Sequence, residues 1–125
     1  MSKWKNEHHF TSWLGLAPNT KISGGKVISN RIMKKKHHAG QAFRMAANGL
    51  YNSKSLMGDY YRRIRAKAVA GKAVVATARK LAIIFYNMVA NQEAFNPKVL
   101  DDYQQRNKEK KINQLRRKLE LLEAA

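Results

Sequence analysis

Apolar residues recur along most of this chain at steps of three and four, the period of an amphipathic helix, and strand-type alternation is nearly absent. In "NEHHFTSWLG", Phe10, Trp13 and Leu14 share one face. Asn6 stands at the N-cap position and Gly15 supplies a C-terminal stop. "LAPN" then turns the chain. A second helix is predicted over residues 38–52, with a stripe of Ala39, Ala42, Phe43, Ala46, Ala47 and Leu50 small enough for close helix approach.

Ser53 or Ser55 caps a third helix, "LMGDYYRRIRAKAVA", with Leu56, Tyr60 and Ile64 inward and Arg62, Arg63 and Lys67 outward. Gly71 separates it from "KAVVATARKLAIIFYNMVAN", whose broad face of Val74, Val75, Ala78, Leu81, Ala82, Phe85 and Val89 predicts the core element. Asn96 and Pro97, as N-cap and first helical residue, open the last helix. There Leu100 and Tyr103 precede Ile112, Leu115, Leu119 and Leu122, again at three- and four-residue steps. This short seam either docks on the body or pairs with a second copy, making a homo-oligomer.

The pattern therefore predicts an all-α protein. A compact helical domain occupies residues 1–92, and a linker with a C-terminal amphipathic helix occupies residues 93–125. Between the first two helices lies "TKISGGKVISN", a basic Ser-Gly-Gly loop. Val27 and Ile28 favour strand, so a short extended pair is the alternative to an irregular loop.

Composition supports a folded chain: 44% hydrophobic content over 125 residues suffices for one domain with a real core. With no cysteine, disulfides and thiolate metal sites are excluded. No apolar run approaches the roughly 20 residues of a membrane helix, and no signal-type segment opens the chain. The expectation is a soluble, cytoplasmic protein without a membrane partner.

Charge sharpens the picture. The net charge is +17, and it is uneven. Residues 1–92 carry 17 Lys/Arg against Glu7 and Asp59, whereas residues 93–125 carry 8 against 6 acidic residues. A folded body so cationic calls for a polyanion, and nucleic acid is the usual one. A ribosomal-type structural protein fits the same balance. The cations are spread over several segments, unlike those of a membrane-surface helix.

Two carboxylates cannot build a two-metal nuclease site, so that chemistry is excluded from the body's own residues. The adjacent pairs His8-His9 and His37-His38 diverge by roughly 100° on a helix, so neither grips one metal. They read as solvated side chains or additions to a phosphate-binding surface.

Ser23 stands out, since no acidic residue lies between Phe10 and Gly58. Gly24 and Gly25 permit positive φ and close approach of a phosphate. Lys21, Lys26, Arg31 and the run Lys34, Lys35, Lys36 surround the hydroxyl with positive charge. Such cations ease formation of an alkoxide and stabilise charge on a phosphorus transition state. On spacing alone, the motif reads first as a loop that clamps phosphates with no covalent step.

"HFTSWLGLAPNTKISGGK", then "AFRMAANGLYNSKSLMGDYYRRIRA", then "KAVVATARKLAIIFYNMV" resemble the C-terminal domain of the IS116/IS110/IS902 insertion-sequence transposases, over residues 3–89. The resemblance implies that Ser23 is the nucleophile that joins covalently to a DNA 5′ end, guided by a structured RNA. With Ser23 in that role, Lys21, Lys26, Arg31 and Lys34–Lys36 are expected to steady the phosphates, and the Gly24-Gly25 backbone to admit them. Arg62, Arg63, Arg79 and Lys80, with Tyr60 and Tyr61, form a second tier of DNA or RNA contacts.

Full-length members begin with a RuvC-like domain whose acidic residues bind magnesium, and this sequence carries no counterpart. Mg2+ is thus expected only with that domain supplied in trans, no cofactor within this chain, and no strand exchange by the chain alone. The expected setting is the DNA-associated cytoplasm of a bacterium or archaeon. The alternative is a non-catalytic DNA/RNA-binding module, a truncated or domesticated transposase fragment.

Overall fold

The computed structural model describes residues 1–35 and 37–125, apart from the side chains of Val99 and Tyr103. The order of elements is α1 (Glu7–Trp13), β1 (Lys21–Ser23), β2 (Lys26–Ser29), α2 (His38–Gly49), a 3-10 turn (Leu50–Asn52), α3 (Leu56–Lys67), α4 (Ala70–Asn91) and α5 (Lys98–Glu123). The protein is mostly helical, with one small two-stranded sheet among the described residues. It divides into two compact units, Met1–Phe95 and Asn96–Ala125.

Local chemistry sets most helix ends. The Asn6 side chain accepts a hydrogen bond from the His9 amide at 3.0 Å, satisfying an orphan donor of α1. At the other end Gly15 adopts φ +72°. The Leu16 and Gly15 amides donate to the Thr11 and Ser12 carbonyls, closing a Schellman motif. Ser55 caps α3 by accepting from the Gly58 amide at 3.2 Å.

The break before α4 falls at Ala68 and Val69, both extended, rather than at Gly71. Gly71 lies inside the first turn of α4, where its missing side chain meets open space. α4 ends in a second Schellman motif, with Gln92 at φ 52° and the Glu93 amide donating to the Met88 carbonyl at 3.1 Å.

The core of the first unit joins Phe10, Leu14 and Leu16 to Ala47 of α2 and to Ala78, Ala82 and Tyr86 of α4. α4 packs against α1, α2 and α3. Its buried positions are Ala73, Thr77, Ala78, Ala82 and Tyr86, a narrow stripe of small side chains ended by one tyrosine. Phe85 and Val89 are each 45% exposed, against the expectation that they belong to the core. Backbones approach closely along the alanines, so the larger residues beside that line are left at the rim. The Tyr86 hydroxyl donates to the Trp4 carbonyl at 3.0 Å and ties the N-terminal segment to this helix.

The inward face of α3 is also displaced from expectation. Met57, Gly58 and Tyr61 are buried, whereas Leu56, Tyr60 and Ile64 are half-buried. A methyl on Gly58 would stand 2.2 Å from the Ser53 carbonyl oxygen, so the helix can seat there only with glycine. That contact rotates the packed face by one residue.

The expectation that nothing reaches membrane-spanning length needs one correction. α4 has 22 residues and an 18-residue stretch of mean hydropathy 1.4, enough by length and composition to cross a bilayer. It carries Arg79 and Lys80 near its middle and packs on three helices, the arrangement of a core element.

In the second unit Asn96 accepts a hydrogen bond from the Lys98 amide at 3.0 Å, with Pro97 already helical at φ −64°. Ile112, Leu115, Leu119 and Leu122 of α5 are exposed. Tyr103, expected on the same seam, lies outside the described side chains.

Candidate nucleic-acid interface

Past the buried Leu16, the chain runs out and back as an antiparallel ribbon. Pro18 bridges Ile32, the Asn19 amide donates to the Arg31 carbonyl at 2.9 Å, and the Thr20 hydroxyl donates to Asn30 Oδ1 at 2.6 Å. Beyond them Lys21 pairs with Ser29, Ile22 with Val27, and Ser23 with Lys26. The register is irregular between Lys21 and Ile22, which leaves Ile28 as the extra residue of a bulge. The segment expected as an irregular loop, or a short extended pair, is thus a hairpin.

Its turn is Gly24-Gly25, at φ 56° and 73°. Two consecutive left-handed residues are what a two-residue type I′ connection demands, because that turn matches the twist of its strands. Nothing lies within 4 Å of where a side chain on either glycine would stand. The space over the turn is open to a bulky anion.

Alternation along the strands sorts the ribbon into two faces. Lys21, Ser23, Lys26 and Ser29 share one face, and Ile22 and Val27 share the other. All but Ser29 are exposed, and the strands pack chiefly on one another. Ser23 thus ends β1 at the turn, directly opposite Lys26, and no hydrogen bond engages its side chain among the described residues.

The remaining predicted site residues lie elsewhere. Arg31 stands at the base of the ribbon, with Lys34 and Lys35 beyond it, all exposed. Lys36 lies outside the described residues. Arg62 is committed within the fold: it donates to the carbonyls of Tyr51 at 3.1 Å and Ser53 at 2.6 Å, and pairs with Asp59. Tyr61 is buried, with its ring edge-on to Tyr51 at 6.1 Å. Arg63 is exposed on α3, and Tyr60 is half-buried there. Arg79 and Lys80 are half-buried on α4, and Arg79 Nε is buried without a partner among the described residues.

Carboxylates are scarce here. Asp59 is held by Arg62, and Glu7 lies 3.9 Å from His8. Among the described residues no three His, Cys, Asp or Glu side chains converge.

A feature that sequence reasoning does not single out lies where α1 hands over to α2. Lys35, His37, His38, Gln41 and Arg44 line a cleft. The sequence signal is the spacing of His37, Gln41 and Arg44 at four and three residues, which puts them on one helix face.

No curated protein and no solved structure matches the chain. Residues 1–62 do match a family, described as Transposase IS116/IS110/IS902. The match spans α1, the ribbon, α2 and the first half of α3, and stops short of α4. Residues 1–62 are thus a segment of the IS116/IS110/IS902 transposase family, which points to a role related to transposition.

Proposed function

We propose that the chain binds DNA, together with a structured guide RNA, and offers the Ser23 hydroxyl as the nucleophile for strand exchange. The observation that carries this reading is the placement of Ser23: exposed, beside an open two-glycine turn, and paired across the ribbon with Lys26. Ser23 Oγ attacks a backbone phosphorus, an O–P bond forms, and the P–O3′ bond breaks. The products are a 5′-phosphoseryl link and a free 3′-hydroxyl, with the serine proton passing in net terms to the departing oxygen. Lys21 and Lys26 on the same face offset the charge that builds on the phosphoryl oxygens. Arg31, Lys34 and Lys35 extend the cationic track toward α2.

The body has two carboxylates, Glu7 and Asp59, and Arg62 holds the second, so the reaction calls for the acidic groups of a RuvC-like domain. The test is a strand-transfer reaction with that domain and a guide RNA, trapping the protein–DNA adduct. Wild type yields an adduct at Ser23 and Ser23→Ala yields none. An adduct that persists in Ser23→Ala sinks the proposal. Tight binding with no adduct under any condition leaves the alternative, a non-catalytic DNA/RNA-binding module.

A further inference from the structure

We infer that the cleft lined by Lys35, His37, His38, Gln41 and Arg44 is a seat for a single phosphate group, separate from the Ser23 ribbon. It is an open cleft of about 370 Å³, room for a phosphate and bridging waters. Lysine, arginine, two imidazoles and an amide line it, with no carboxylate. All four residue types donate hydrogen bonds to phosphoryl oxygens, and arginine does so in a fork that matches them.

The seat is built rather than fortuitous. Arg44 Nη2 donates to the Gly15 carbonyl at 3.0 Å, which fixes the guanidinium and leaves its other N–H groups to act. Lys35 lies over Gly15, its Cβ 3.2 Å from where a side chain would stand. Trp13 packs edge-on against His37, with ring centroids 4.0 Å apart. His37 Nδ1 is buried with no partner among the described residues, a polar atom that costs stability where it stands. His37 also makes no side-chain cap on α2, whose first-turn amides face the same end of the helix.

The occupant is a phosphate ester. A net charge of +17 favours a nucleic-acid backbone phosphate as its source, and a small free phosphate ester offers the same chemistry. Amide NMR on the labelled full chain, titrated with inorganic phosphate, tests the seat. The expected result is saturable shifts confined to residues 35–44. Lys35→Gln with His38→Gln, both exposed and outside the core, should weaken that binding by about tenfold, as loss of charge-assisted donors does. Arg44→Gln also severs the Gly15 contact, so it is scored only where its spectrum stays folded.

Ser23→Ala, Lys21→Gln and Lys26→Gln should leave phosphate binding unchanged, which keeps this seat distinguishable from the ribbon chemistry. Displacement of phosphate by a short DNA duplex identifies the backbone as its source. Duplex binding that leaves phosphate in place identifies a free ester, and the seat stands in both cases. Shifts that never saturate, that spread over the surface lysines, or that survive Lys35→Gln with His38→Gln overturn it.

Discussion

Gly40 faces the Leu14 carbonyl so closely that a methyl on its Cα would stand 2.2 Å from the oxygen. The contact joins the end of α1 to the start of α2. Alanine ordinarily improves a helix by about 0.5–1 kcal/mol over glycine. Here the clash dominates, since overpacking costs about 1–3 kcal/mol. Gly40→Ala should therefore lower the melting temperature, whereas Gly71→Ala, in open space, should hold or raise it. Thermal unfolding of both variants reads the contrast, and a Gly40→Ala protein as stable as wild type would show that α2 is free to shift.

Core truncation should separate Leu14 from Phe85. Leu14 is fully buried, so Leu14→Ala should cost about 2–5 kcal/mol in urea unfolding. Phe85 is 45% exposed, and Phe85→Ala should cost clearly less. Equal losses would place Phe85 in the core after all.

Arg62→Ala tests a side chain whose positive charge invites a nucleic-acid role. Its bonds to two carbonyls and to Asp59 imply a clip between α3 and the preceding turn. Loss of such contacts costs about 1–3 kcal/mol. Affinity for duplex DNA under native conditions should change little. A large drop in affinity without loss of stability would return Arg62 to the binding surface.

Salt should weaken duplex binding by about 0.9 log unit per log unit of salt for each phosphate neutralised. Cations from the ribbon and from the segment before α2 predict a slope worth roughly five or more phosphates. Replacing Lys34, Lys35 and Lys36 together by alanine should flatten it, and Ser23→Ala should not. If Ser23→Ala flattened the slope equally, the serine would be a clamp and not a chemical group.

Helix ends were the most legible part of the fold, because a cap is a local matter. Asn6, Gly15, Ser55 and the Asn96-Pro97 pair each act within a few residues of themselves. Faces were harder to read. On α3 the packed side is decided by Gly58 against Ser53, a contact between backbones that no hydrophobicity pattern records. On α4 the alanines and Tyr86 won the interior over Phe85 and Val89. Proximity of chains, not side-chain size, set that choice. The hairpin was half legible: β-branched residues flank a glycine pair, but helical periodicity elsewhere made a loop the simpler reading. In the candidate site, Ser23 and its neighbouring lysines stand in one contiguous stretch and announce themselves. Arg44 does not: its helical spacing from His37 and Gln41 is a weak signal, and its tie to the Gly15 carbonyl is a tertiary contact that no local pattern records.

The ribbon pairs chiefly with itself, and a two-stranded hairpin alone is only marginally stable in water. Its opening is therefore uncoupled from unfolding of the helices, and amide hydrogens at Ser23 and Lys26, the hydrogen-bonded pair beside the turn, should exchange far faster than those of Ala78 or Ala82. A calorimetric scan would register the helical body alone. A substitution at Gly24 or Gly25 can thus misplace the serine hydroxyl in a protein that passes every melting-point screen, and only amide exchange or adduct formation would reveal the loss.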